Sequence, residues 1–179
     1  MVNVINGDNM KKIIILGSTL FLTLTFLVGC SLSNTPTSQV EALFSKYQKV
    51  DDEINDDIEN ILQEEVLTDE QKKRYRKILE NQYKNLKYEI KDEIIDGNNA
   101  TVVTQIEVLD FKKVINSLNS SNDVNFDALE YTNDKLDMLE NASDKVVYTL
   151  NINVIKDKDG NWSISNLSSE NIKKIQGMY

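Results

Sequence analysis

The sequence predicts an α+β domain in which N-terminal helices pack on an antiparallel sheet of about four strands. Apolar residues recur every three or four positions over 40–87, which is the period of an amphipathic helix. The period changes to two in "YEIKDEIIDG", "ATVVTQIEVLD" and "KVVYTLNINVIK", as in strands that bury one face. Helices, a hairpin, more helices and a second hairpin follow in order, which favours one sheet covered by helices on one side.

The first helical segment covers residues 40–66 and is either one long helix or two helices joined near Asp51–Asp52. Its apolar positions are Val40, Leu43, Phe44, Tyr47, Val50, Ile54, Ile58, Ile61, Leu62 and Val66. Acidic residues fill the other positions and predict a solvated face. The next helix begins at "TDEQ", where Thr68 is the predicted N-cap and Gln71 closes a capping box.

Two hairpins are predicted, with turns at Asp96-Gly97-Asn98 and at "DKDGN". The helical stretch 111–141 separates them, and it either caps a pocket or merely lengthens a connection. A final short helix begins after Ser168 or Ser169. "DKDGNW" also has the acidic spacing of a calcium loop, but Trp162 stands where that loop requires glycine, so a hairpin turn is predicted instead.

Asp92 is the one candidate catalytic residue that the pattern offers. It alternates with Tyr88, Ile90 and Ile94, so the simple period of two places it on the inward face. An inward carboxylate can have a raised pKa and act as a base. The alternative, which the charged residues around Asp92 favour, is an edge strand or a bulge that turns its side chain to water.

The composition excludes several classes of function. The 179 residues include 20 Lys and Arg against 29 Asp and Glu, so the basic surplus of a nucleic-acid-binding protein is missing. The chain contains no histidine, which is the commonest general base and a common metal ligand. Its single cysteine excludes an internal disulfide and a cysteine-based zinc site. We therefore expect neither a metal nor another cofactor.

The N-terminal segment has the layout of a secretory signal. Lys11 and Lys12 follow Met10, and the sixteen residues 13–28 carry no charge. This layout makes Met10, rather than Met1, the expected start of translation. An uncleaved membrane anchor is the alternative, although the apolar run is slightly short for it.

The end of this segment, Leu27-Val28-Gly29-Cys30, resembles the lipobox of bacterial lipoproteins. In that family a diacylglyceryl group is attached to the cysteine, and a peptidase cleaves just before it. The resemblance implies that Cys30 is the lipidated first residue of the mature protein, at the outer face of the cell membrane. Two acyl chains hold a protein stably at a bilayer, whereas one chain holds it only reversibly.

Three regions are predicted on this basis. Residues 1–29 form the signal peptide that is removed. Residues 30–38 hold the lipidated cysteine and a flexible linker of small, polar composition, "SLSNTPTS". Residues 39–179 form one domain.

The element order and the closing "DGNW" hairpin of this domain resemble the NTF2-like, or cystatin-like, cone fold. The body is especially similar to small lipoproteins of low-GC Gram-positive bacteria. In such proteins a helical layer packs on a curved sheet, whose concave side can hold a pocket.

Three functions are consistent with the sequence. The first is a non-enzymatic lipoprotein whose body binds a small ligand or an envelope protein. The second is an extracytoplasmic enzyme with Asp92 as its base, which requires a closed, mostly apolar pocket above this residue. The third is an accessory or scaffold subunit, which requires a large exposed apolar stripe on residues 40–66.

Overall fold

The computed structural model describes residues 34–121 and 128–179, with the backbone alone described at 120–121. The signal segment and the lipobox residues Leu27, Val28, Gly29 and Cys30 lie outside the described residues. The described residues form α1 (Pro36–Lys49), α2 (Asp52–Glu64), α3 (Asp69–Lys84), β1 (Lys87–Asp96), β2 (Asn99–Leu109), α4 (Phe111–Ser121), α5 (Ala128–Glu140), β3 (Lys145–Lys156), β4 (Trp162–Ile164) and α6 (Ser169–Ile175). This order confirms the α+β fold. Within the described ranges, no helix is long and apolar enough to span a bilayer.

The segment 40–66 forms two helices rather than one. Val50 ends α1 in the left-handed conformation, with φ of 49°. Asp51 then caps α2, since its carboxylate accepts a hydrogen bond from the backbone N–H of Ile54 at 3.1 Å. The capping box at Thr68 and Gln71 is confirmed, and Ser168 caps α6.

The folded domain begins before residue 39. Thr35 caps α1 through a reciprocal pair of hydrogen bonds with Ser38. The side chain of Asn34 already contacts the β3–β4 turn, donating to the carbonyl of Gly160 at 3.2 Å and accepting from the N–H of Trp162 at 2.8 Å. The predicted linker 30–38 is therefore too long, because its last five residues are part of the folded domain.

The four strands form one antiparallel sheet in the order β1-β2-β3-β4. The strands predicted near 100–110 and 145–156 are direct neighbours, with Thr104 opposite Leu150. The side chains of both residues are fully buried beneath the helices. On the other face of the sheet, Val147 and Ile155 are about half exposed, as the sequence predicts for a sheet covered on one side.

α1 lies across all four strands and holds the helical layer on the sheet. The ring of Phe44 stacks on Tyr88 of β1, with 4.7 Å between the ring centroids. α2 packs on α1 and α3, and α5 packs on α3. Arg74 of α3 binds Asp137 and Glu140 of α5, and these ion pairs fasten α5 to the helical layer.

A β-bulge interrupts the pairing of β1 with β2. Ile90 lies opposite Thr104, but Asp92 lies opposite Val103, so one extra residue is inserted between them. The bulge reverses the facing of every later residue in this edge strand. Asp92 is consequently exposed on the open side of the sheet. The prediction from the simple period of two, that Asp92 points inward, is wrong, and the bulge alternative is confirmed.

Candidate functional site

A groove of about 740 Å³ runs between the helical layer and the C-terminal segment. α1 and α2 form one wall, residues 164–167 with α6 form the other, and Tyr83 of α3 lies at the bottom. This volume is in the range of small-molecule sites. The groove lies on the helical side of the molecule, between α1, α2 and α6.

The wall formed by α2 has one stripe that alternates apolar and acidic residues. Ile54, Asp57, Ile61 and Glu64 follow each other at spacings of three, four and three residues, so they lie on one side of the helix. Ile54 is buried, Ile61 is partly buried, and the two acidic residues are exposed. The groove therefore has an apolar base and an acidic edge on this side.

The other lining residues add to the apolar base. Leu43, Ile164 and Leu167 are partly buried, and Ile172 of α6 is 39% exposed. A ligand that covered these side chains would gain about 25 cal/mol for each Å² of apolar surface removed from water. The groove can therefore bind the apolar body of a ligand.

Two tyrosines form the bottom of the groove and are mostly structural. The rings of Tyr47 and Tyr83 meet edge to face, with centroids 5.1 Å apart. Burial raises the pKa of both hydroxyls well above the ordinary value, and the nearby Asp57 carboxylate raises both further. Both hydroxyls are therefore protonated at physiological pH. Tyr75 does not line the groove. It lies in the core, where burial raises its pKa to about 12.

Asp57 is the acidic group with the most unusual environment in the groove. Its side chain is exposed, but partial loss of solvent at the groove raises its pKa, and the negative charges of Glu53 and Asp56 raise it further. Among the described residues, its carboxylate has no hydrogen bond and no ion pair. Lys46 is the cation that lines the groove, and it pairs with Glu53. The Asp57 carboxylate thus lacks a positive partner.

The candidates from the sequence lie elsewhere. Asp92 does not line the groove, and residues 111–141 contribute nothing to its described lining. "DKDGN" forms the predicted hairpin turn, in which Asp157 accepts hydrogen bonds from the N–H groups of Asp159 and Asn161. These bonds lower the pKa of Asp157. In the ranges 34–121 and 128–179, no group of three metal-ligating side chains is present.

Comparison with protein-family models, with curated proteins and with solved structures finds no match for this chain. The assignment of the groove as a candidate site therefore rests on its geometry alone.

The groove is not evident from the sequence, because the acidic positions of residues 51–59 have the pattern of a solvated helix face. That description fits Asp52 and Asp56, which do not line the groove. It does not fit Asp57, which lies on the apolar stripe between Ile54 and Ile61. The sequence shows only that Asp57 shares one side of the helix with Ile54 and Ile61, which does not reveal the facing wall.

Proposed function

We propose that this protein is a lipid-anchored, extracytoplasmic binding module. Cys30 carries the lipid, residues 1–29 are removed, and the folded domain binds a ligand in the groove between α1, α2 and α6. The sequence Leu27-Val28-Gly29-Cys30, at the end of an uncharged run preceded by two lysines, is the observation that carries the proposal. The cysteine is the only one in the chain.

The charge of the domain supports a covalent anchor. The chain has a formal net charge of −9, and removal of residues 1–29 takes away two lysines and one aspartate. Such a body is repelled by the anionic surface of a membrane. A lipid on Cys30 supplies the attachment that the surface charge cannot provide.

The geometry favours binding over the two alternatives. An enzyme with Asp92 as its base needs that carboxylate in a pocket, and Asp92 is exposed on an edge strand instead. A scaffold that works through residues 40–66 needs an exposed apolar stripe, but most apolar residues of this stripe are buried in the domain core. Those buried residues are Val40, Phe44, Tyr47, Ile54, Ile58 and Leu62. The groove remains as a concave, partly apolar surface that a ligand can enter.

The anchor is tested by replacing its cysteine. Cys30→Ala in the full chain is expected to abolish incorporation of labelled fatty acid and to leave the signal segment uncleaved. Ser31→Ala is the matched control, because it changes the adjacent residue and leaves the lipobox intact. Mass spectrometry of the N-terminal peptide then reports whether Cys30 is the first residue and carries a diacylglyceryl group. Fatty-acid label on the Cys30→Ala protein, or an unmodified Cys30 in the wild type, contradicts the proposal.

A further inference from the structure

We infer that the groove binds an elongated organic cation, with an apolar body and an ammonium group at each end. This inference rests on the proposed binding function and identifies the chemical class of the ligand. The two ammonium groups pair with the carboxylates of Asp57 and Glu64, and the apolar body covers Ile61 between them.

The charges in the groove select against an anionic ligand. Glu53, Asp57 and Glu64 line it, together with Lys46. Lys46 already pairs with Glu53, so this cation has an acidic partner of its own at the edge of the groove. Asp57 and Glu64 have no cationic partner among the described residues. A carboxylate or phosphate entering the groove would meet uncompensated negative charge, whereas a cation would relieve it.

The distance between the two carboxylates favours an elongated ligand. Asp57 and Glu64 are seven residues apart on one helix, which corresponds to about 10.5 Å along its axis. Ile61 lies between them on the same side of the helix, partly buried and facing the groove. An aliphatic chain laid along this stripe contacts Ile61 while both of its ends reach a carboxylate. A compact cation can reach only one carboxylate and leaves Ile61 uncovered.

The opposite wall also favours an apolar body. Ile164, Leu167 and Ile172 line it with no charged side chain. Ser165, Asn166 and Gln176 provide neutral polar groups at its edge. The cationic ends of the ligand are therefore held on the α2 side, and the remaining contacts are apolar or neutral.

The inference is tested with three aliphatic probes of the same chain length. The full chain is placed in nanodiscs of zwitterionic phosphatidylcholine, and binding is measured by calorimetry with empty nanodiscs subtracted. We expect 1,8-diaminooctane to bind more tightly than octylamine, and octanoate to bind most weakly. Asp57→Asn and Glu64→Gln should each weaken diamine binding by about three- to tenfold. Added salt should weaken it as well.

Asp56→Asn is the matched control, since it removes one acidic charge from the same helix at a position outside the groove. It should change diamine binding by less than about twofold. The inference is overturned if octanoate binds as tightly as the diamine, if the diamine does not bind, or if Asp56→Asn weakens binding as much as Asp57→Asn. The mass of the N-terminal peptide from the same preparation reports the lipid on Cys30 separately, so failure of the ligand and failure of the anchor are distinguished.

Discussion

The side chain of Gln82 pairs with the backbone of Leu109 through two hydrogen bonds. Its oxygen accepts from the N–H of Leu109, and its nitrogen donates to the carbonyl of Leu109, both at 3.0 Å. The same nitrogen also lies 3.2 Å from the carbonyl oxygen of Gln176. Gln82 is only 1% exposed, so this one amide joins α3 to the end of β2 and to the C-terminal segment that follows α6.

Gln82→Leu is expected to lower the free energy of unfolding by about 2–4 kcal/mol, because it leaves the partly buried N–H and C=O groups of Leu109 facing an apolar side chain without partners. Gln63→Leu is the control, since Gln63 is exposed on α2, and it should change stability by less than about 0.5 kcal/mol. Urea unfolding measures both variants. Equal stability of the two would show that the buried amide contributes nothing.

Gly177 is pressed against the same pair of residues. A Cβ at this position would lie 2.1 Å from the Leu109 carbonyl oxygen and 2.6 Å from the Gln82 nitrogen, and its φ is 72°. Gly177→Ala is therefore expected to destabilise the fold by more than about 3 kcal/mol. Two causes contribute to this loss, the positive φ and the close contact of the added Cβ. Gly97→Ala separates them, because Gly97 has φ of 59° but a Cβ there would meet no atom within 4 Å. It should cost only about 1–2 kcal/mol in thermal or urea unfolding. A similar loss in both variants would contradict the role of the close contact.

The hydroxyl of Thr104 is buried on the inner face of β2 without a hydrogen-bond partner among the described residues. Thr104→Val keeps the branched shape and removes this unsatisfied group, so it is expected to stabilise the protein by about 1 kcal/mol. Thr149→Val on the open face is the control, and it should change stability by less than about 0.5 kcal/mol. Urea unfolding measures both variants. If the free energy of unfolding depends equally on urea concentration in both, the shift of the midpoint gives the change in stability. A loss of stability in Thr104→Val would mean that its hydroxyl has a partner.

The ion pairs between α3 and α5 give the fold an acid-sensitive contact. Hydrogen bonding to Arg74 lowers the pKa of Glu140 below its ordinary value of 4.5. Since the folded-state pKa is the lower one, the contribution of Glu140 is complete above the unfolded pKa and is lost as the pH falls through the folded pKa. Glu140→Gln should therefore reduce the loss of stability in this acidic window, while Asp134→Asn, an exposed acid on the same helix, should not. Unfolding midpoints measured from pH 6 to pH 3 decide between these outcomes.

Elements with local signals could be predicted from the sequence. Thr68 and Gln71 mark a helix start through contacts within four residues, and the alternation in β3 requires only a period of two. The bulge before Asp92 is harder to predict, because charged residues occur on both faces of the strand around it. The sequence therefore does not show which face points inward. The sequence left two orientations open there, and pairing with β2 decides between them.

The groove could not be predicted because it is built by distant parts of the chain. Asp57 and Leu167 line the same cavity but are more than a hundred residues apart in sequence. The pattern of α2 indicates that Asp57 lies beside apolar residues, but it carries no information on which segment forms the facing wall. That wall depends on where the hairpin of β3 and β4 directs the chain.

If Cys30 is lipidated, its short connection to the folded domain determines how the domain is oriented on the membrane. Three residues separate Cys30 from Asn34, which is bonded to the β3–β4 turn, and so short a chain spans at most about 14 Å. The twelve residues of β3 extend about 40 Å from this turn toward Asp144. The end of the sheet near Lys158 should therefore lie close to the lipid headgroups, and the end near Asp144 should lie far from them.

Fluorophores on Lys158→Cys and Asp144→Cys test this orientation, because lipidation of Cys30 leaves the introduced thiol as the one available for labelling. Energy transfer to an acceptor on the lipid headgroups should be much stronger from position 158 than from position 144. Insertion of ten Gly and Ser residues after Ser31 should weaken the transfer from position 158, because the longer tether lets the repelled acidic domain move away from the surface. Equal transfer from the two positions with the native tether would contradict the prediction, since a tether of three residues leaves the β3–β4 turn no room to retreat.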